Sequence, residues 1–473
     1  MSVRGAAPSP KPSTTDGKPL KQVILAGYFP GVNNTTVWSD PRAGSQIEFS
    51  SFVHLAQTAE RGKLDFFFLA EGLRLREQRG RIHDLDVVGR PDTLTVLGAL
   101  ASVTTHLGLV GTLNATFREP YELARQLATL DHLSEGRAGW NVVTSSDAFT
   151  GENFRRGGYL DYADRYERAG EFVRTARELW ESWAGDEVVA EQETGRYLRD
   201  GSVGHFAHRG PQFDIRGRFN VPRSPQVHPL ILQAGDSDGG RELAASTADA
   251  IFSRHSGYEA ARRFYADAKG RMARYGRSPD ELKILPGVGF VLGDTAEEAR
   301  ERAHEVRRQQ VSPQTAILMA EQLWNRDLSS YDPEGPLPDV DPDVSSTTII
   351  QGRARLFPDP LRTAAQWREV AEAKGLSLRE VVIETTGRQP FVGTPSQVAE
   401  QMNHFVQTDA TDGFVLSPHL TPAGLDDFVD QVVPLLQERG VLRTEYTTTT
   451  LREHVGLPPV RSGSTGRLAA ASG

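Results

Sequence analysis

The fold class that the sequence predicts is α/β, a (β/α)8 TIM barrel with insertions. Three observations predict it. Eight short runs are apolar on both faces, as fully buried parallel strands are. Longer amphipathic stretches with apolar residues spaced near 3.6 lie between or after them. Several of those stretches end at glycine, where helix C-caps are expected: Gly62, Gly136, Gly276 and Gly440. A doubly wound open sheet is the runner-up for such an alternation.

Residues 1–20 are rich in Pro, Ser, Gly and Lys and predict a disordered lead-in, and 458–473 predict a disordered tail of the same character. Between them, 21–457 form the barrel. The first strand is VILAGYF (23–29), followed by a helix over 46–63. The second, LDFFFLAE (64–71), closes on Glu71, a carboxylate that is costly at the end of an apolar strand unless solvated or partnered. A helix over 93–106 leads to LGLVGTLNAT (107–116), which ends in Asn114 and Thr116. The helix 120–136 leads to AGWNVVTS (138–145), which carries Asn141 and leaves the barrel at Ser145.

A polar segment, about 146–161, does not fit the alternation. The next helix, 162–183, starts with Tyr162 and Tyr166 four residues apart, and plain helix packing accounts for at least one of them. A second segment, 184–229, carries aromatics and Pro, with "FDIRGRFNVPRSPQ" predicting a hairpin and turn. LILQAG (230–235), a helix from 239, DAIFSRH (249–255), a helix over 258–276, KILPGVGFVLG (283–293) and a helix over 295–310 resume the alternation. A third segment, about 311–390, is half helical around a Pro/Asp-rich middle. GFVLSPHL (413–420) and a helix over 425–440 complete the barrel. Long insertions of this kind are commonly functional, and every strand end named above falls on one barrel face.

The turn Gly235-Asp236-Ser237-Asp238-Gly239 matches G-x-S-x-G, the pattern of a hydrolase nucleophile elbow. A serine hydrolase needs a His base and an oxyanion loop. No HGGG-type segment precedes Ser237, and His255, His304, His404, His419 and His454 sit in no distinctive motif. Two other readings stand beside it. Ser237 caps the following helix and nothing more, or the cap, the glycines and the exposed N–H groups of that helix hold a phosphate.

Net charge is −9, which argues against a nucleic-acid or membrane-surface partner. The absence of cysteine removes disulfides, thiolate metal sites and cysteine nucleophiles, and fits a cytoplasmic protein. There is no Walker A motif, no H-E-x-x-H and no dinucleotide fingerprint, since "GVGFVLG" misses the spacing. His205 and His208 could ligate a metal on paper, but in a loop with no nearby carboxylate pair a structural role is favoured, and no metal site is assigned.

The segments "ERGKLDFFFLAEG", "LATLDHLSEGRAGWNVVTS", "ADRYERAGEF", "VPRSPQ", "QAGDSDGG" and "FVDQVVPLLQERG" resemble the nitrilotriacetate / dibenzothiophene-sulfone monooxygenase family of bacterial-luciferase-like flavin enzymes. The likeness runs from about Gln22 to Leu457. It implies a two-component monooxygenase: a separate NAD(P)H:flavin reductase supplies reduced FMN (FMNH2), which with O2 forms a peroxyflavin and oxygenates a small organic substrate. It implies a phosphate site at Ser145, Tyr166 and Ser237, a loop shaped by Gly235 and Gly240, and further cofactor contacts at Glu71, Asn114, Thr116 and Asn141. Glu71 stands where the family usually has Asp. Tyr28, Phe68 and Phe252 match aromatic positions near flavin and substrate. The first-strand loop, "PGVNNTTVWSDP", lacks the His that some members carry, so no catalytic residue is named. The resemblance further implies a homodimer or homotetramer, with the substrate chosen chiefly by 311–390 and the first-strand loop. Two alternatives stay open: a hydrolase using Ser237, and a flavin-binding protein without turnover.

Overall fold

The computed structural model describes residues 19–31, 35–75, 77–78, 80–82, 84–145, 153–154, 162–199, 201, 203–345, 359–386 and 390–460. Nearly all of the lead-in and of segment 146–161, and most of the tail, lie outside the described residues.

Eight parallel strands close into a barrel in chain order: β1 (Ile24–Phe29), β2 (Phe66–Leu69), β3 (Gly108–Asn114), β4 (Ala138–Val143), β5 (Leu230–Gln233), β6 (Ala250–Ser253), β7 (Lys283–Val288) and β8 (Gly413–Leu416). β1 closes the ring, pairing Ala26 with Phe66 and Ile24 with Gly413. The double-sided apolarity has a plain cause. Phe66 and Phe68 join Tyr28, Val110 and Leu285 inside the barrel, whereas Phe67 and Leu69 pack outside with Phe52 and Leu97. Burying both faces removes water from every strand and favours continuous apolar runs.

The surrounding layer includes α1 (Phe49–Arg61), α2 (Thr93–Ala101), α3 (Pro120–Leu133), α4 (Tyr162–Glu181), α5 (Asp238–Thr247) and α6 (Tyr258–Arg271). Among the described residues no helix is long and apolar enough to cross a membrane.

The structure departs from the expected elements in three places. The run 283–293 is two strands: β7 ends at Val288, and Phe290–Leu292 leaves the barrel to pair with Phe391–Gly393 while Phe290 packs on Phe428. The helix 425–440 breaks at Val432, between Asp426–Gln431 and Val433–Glu438, because Pro434 has no N–H and its ring crowds the preceding turn. Gly62 is not a left-handed cap. Its φ is −75°, Lys63 takes the positive φ, and a Cβ on Gly62 would lie 2.7 Å from Val429.

Segment 184–229 holds two antiparallel hairpins, Val188–Glu191 with Arg196–Leu198 and His205–Arg209 with Asp214–Arg218. Segment 311–390 builds a small core of its own around Trp324, Trp367 and Val381, and Arg81 ties it to the β2 loop through Glu321 (2.5 Å). His208 corrects one expectation. Two carboxylates do stand beside it, Glu178 at Nδ1 (2.8 Å) and Glu171 at Nε2 (3.1 Å), brought there by packing of the second hairpin on α4.

A repeated device seals the base of the barrel. Asp65, Asp249 and Asp412, each one residue before an even-numbered strand, accept a backbone N–H from the preceding odd strand, at Leu25 (2.8 Å), Ile231 (2.9 Å) and Ile284 (2.8 Å). Each also holds a cation: Arg443 (2.5 Å), Arg452 (2.8 Å) and Lys269 (3.1 Å). The two arginines come from the C-terminal segment, whose Leu451, Val455 and Leu457 plug the barrel floor.

His228 makes this base acid-sensitive. Burial pushes its pKa down to about 4, although Glu181 stands 2.8 Å away. The folded value lies below the unfolded one, near ~6.5. The neutral ring therefore contributes its stability above about pH 6.5, and that contribution is lost as the pH falls toward 4, by roughly 3 kcal/mol in all. His228→Gln is expected to make the fall of the urea-unfolding free energy across that window less steep, with His454, which burial also pushes down to about 4, supplying a further part. Curves for variant and parent that stay parallel would show that His228 is not the sensor.

Candidate functional site

The C-terminal ends of the strands form the mouth, and its floor is aromatic. Tyr28 (β1), Phe68 (β2) and Phe252 (β6) point inward with ring centroids 5.4–6.5 Å apart. Tyr28 and Phe68 are buried, and Phe252 is half-buried. Gly287 on β7 gives Phe252 its space, since a Cβ there would lie 2.8 Å from the ring. The Tyr28 hydroxyl donates to the Gly31 carbonyl (3.1 Å).

The exits of β2, β3 and β4 are joined by one polar network. Glu71 accepts the Asn114 N–H through Oε2 (2.9 Å) and Arg118 through Oε1 (2.8 Å). Asn114 Oδ1 accepts the N–H groups of Thr116 (2.7 Å) and Phe117 (3.2 Å), an Asx turn that ends the strand. Asn114 Nδ2 donates to the Ser145 hydroxyl, and the Ser145 N–H donates back to Thr116 Oγ1 (3.2 Å). Four of the expected site residues, Glu71, Asn114, Thr116 and Ser145, are thus held by one another. Burial raises the Glu71 pKa above the ordinary carboxylate value, and Arg118 opposes that shift.

One strand layer deeper, Asn141 donates through Nδ2 to Thr112 Oγ1 across the β3–β4 pair (2.9 Å). Its Oδ1 is buried with no hydrogen-bond partner among the described residues. An orphaned acceptor in a barrel wall is costly unless a ligand donor meets it.

The third group is the turn after β5. Ser237 is the N-cap of α5: its Oγ accepts the Gly240 N–H (3.1 Å) and pairs with the Tyr166 hydroxyl from α4 (3.0 Å). Gly235 and Gly240 lie back to back. A Cβ on Gly240 would fall 2.8–3.0 Å from the backbone of Gly235, and Gly239 faces the Tyr166 ring. The glycines therefore serve a close approach of the turn to itself. The side chain of Tyr162 lies outside the described residues.

The elbow reading fails on this geometry. Among the described residues no histidine is hydrogen-bonded to Ser237. The first imidazole downstream, His255, is bound by Nε2 to Asp236 (2.8 Å) and stacks on Phe264. A serine whose hydroxyl already caps a helix and meets a tyrosine has no general base.

Sequence reasoning missed Arg118, the Asp236–His255 pair and Arg241, which reaches Asp236 and Asp267 (3.3 and 2.8 Å). The one available signal was Glu71 itself, whose burial demanded a cation. The residues present fit FMN: hydroxyls and a helix N-terminus for a phosphate, a buried unpaired acceptor for a ring N–H, and an aromatic floor for an apolar ring system.

Comparison with known proteins places this chain among relatives. A family model described as luciferase-like monooxygenase matches residues 33–412. N-acetyl-S-(2-succino)cysteine monooxygenase of Bacillus subtilis (strain 168) is 41% identical over 443 residues, covering 92% of this chain and 97% of its own. Nitrilotriacetate monooxygenase component A of Aminobacter aminovorans is 39% identical over 431 residues, covering 89% and 92%. A solved structure of riboflavin lyase with modified FMN and riboflavin superposes with a TM-score of 0.77 at 30% identity, covering 95% and 99%.

Proposed function

The chain belongs to the luciferase-like monooxygenase family, and from that premise we propose that it is the oxygenase component of a two-component system. It takes reduced FMN from an NAD(P)H:flavin reductase and oxygenates a small organic substrate. The observation that carries this reading is the pairing of the Ser237–Tyr166–Gly240 cradle with the orphaned Asn141 acceptor and the aromatic floor in one mouth.

Ser237, Tyr166 and the first turn of α5 would hold the phosphate. Asn141 Oδ1 would accept a ring N–H, and the Glu71–Asn114–Ser145 network would fix the rim on which the ring system rests. Reduced FMN, when bound, supplies two electrons to O2, so that one oxygen atom enters the substrate and the other leaves as water. Tyr28, Phe68 and Phe252 keep water from the reacting end and shape the substrate pocket.

Two measurements test the reading. Adding protein to FMN is expected to quench its fluorescence in a saturable way. With a flavin reductase, NADH and O2, the chain should then oxygenate at least one member of a substrate panel. N-acetyl-S-(2-succino)cysteine and nitrilotriacetate, named in the relatives above, head that panel. Protein that binds neither oxidised nor reduced FMN would remove the proposal. FMN binding without turnover of any panel member would favour a flavin-binding protein, and fluorophosphonate labelling at Ser237 would revive the hydrolase.

A further inference from the structure

The geometry points to Arg90 as a positioning residue for this site: its guanidinium pins the exits of β1 and β2 together and so sets the positions of Tyr28 and Glu71. This rests on the flavin reading above.

Arg90 lies between β2 and α2 and is half-buried. Its Nη1 donates to the Pro30 carbonyl (2.9 Å) and to Gln46 Oε1 (2.7 Å), and its Nη2 donates to the Ala70 carbonyl (3.4 Å). Pro30 and Ala70 are the first residues after β1 and β2, whose last residues, Phe29 and Leu69, are register partners. The guanidinium also stands over the Phe29 ring, 5.6 Å from its centroid. One planar group thus binds both strand exits from outside the mouth.

Each exit leads straight to a site residue. The Tyr28 hydroxyl donates to the carbonyl of Gly31, next to Pro30. Ala70 directly precedes Glu71, whose carboxylate carries Asn114 and Arg118. The loop backbone rests on Arg90 so closely that a Cβ on Gly31 would fall 2.3 Å from Nη1. Asp86 laces the same loop from the same side, bonding Thr36 and Gln46 (3.3 Å to Gln46). Lysine cannot substitute, because a point charge does not span acceptors that the planar fork meets in fixed directions.

Arg90→Lys and Gly31→Ala test the proposal from the two sides of one contact. Three quantities are read on the full-length protein: the apo-protein melting temperature, the FMN dissociation constant, and the circular dichroism induced in bound FMN. Arg90→Lys is expected to weaken FMN about tenfold and to change the induced flavin band, while the apo protein still melts cooperatively. Gly31→Ala leaves the Arg90 residue itself unchanged but breaks the same contact, since its Cβ would collide with the guanidinium and its φ of +151° disfavours a side chain, and it is expected to do the same. A purely structural Arg90 would lower the melting temperature and leave affinity and band unchanged. Either variant folded, with FMN affinity within about twofold of the parent and an unaltered band, overturns the proposal. If the parent binds no FMN, the flavin reading has failed instead.

Discussion

Arg452→Met is expected to lower the unfolding free energy by about 3–5 kcal/mol at neutral pH. Arg452 meets Asp249 with both terminal guanidinium nitrogens, Nη1 and Nη2 (2.8 and 3.2 Å), at the sealed base of the barrel. Burial pushes the Asp249 carboxyl up, but Arg452 and Arg177 outweigh it and hold the pKa below the ordinary value. A folded pKa below the unfolded one means that the stability is present above about pH 4 and is lost as the pH falls through the folded value. The cost of the variant should therefore be largest near neutrality and shrink in acid. Adding Asp249→Asn should recover part of the loss, because it removes the stranded charge while its side-chain oxygen can still accept the Ile231 N–H. Urea unfolding followed by circular dichroism reads both. A single variant within about 1 kcal/mol of the parent would mean that the pair contributes little, as exposed pairs do.

Ser237→Gly is expected to raise the FMN dissociation constant by about 10- to 100-fold, from the loss of a hydrogen bond to a charged group. Glycine is chosen because it is itself an acceptable N-cap, so α5 should lose only a few tenths of a kcal/mol. Alanine would confound a lost cap with a lost ligand. Tyr166→Phe, which removes the hydroxyl 3.0 Å from Ser237 Oγ, should act in the same direction. Riboflavin lacks the phosphate and provides the control. Its affinity should be unchanged in both variants, so the preference for FMN over riboflavin collapses. A preference that survives both substitutions would take the phosphate away from this turn.

Different parts of the molecule were legible to different degrees. The strands were legible because a strand buried on both faces must be apolar at every position, and Phe66–Leu69 shows it. The 283–293 run misled because an apolar stretch does not announce where it leaves a barrel: Phe290 is as buried as Leu285, but among different neighbours. Ser237 was legible as a cap because its partner is three residues away. Arg118 was not, because Glu71 lies 47 residues from it. Arg90 reaches back 20 residues to Ala70 and 60 residues to Pro30.

The sequence by itself determined the number of strands, the polar residues at the exits of β2, β3 and β4, and the serine that starts α5. These depend on side chains within a few residues of one another, where periodicity and capping act. Tertiary structure alone decided the pairings. Closing the barrel set Asn114 against Ser145, Glu71 against Arg118 and Asp249 against Arg452, and it left Asn141 Oδ1 without a partner among the described residues. Hydrogen bonds and buried ion pairs depend on separations of a few ångströms in a low-dielectric setting, and only the folded chain brings such distant residues that close.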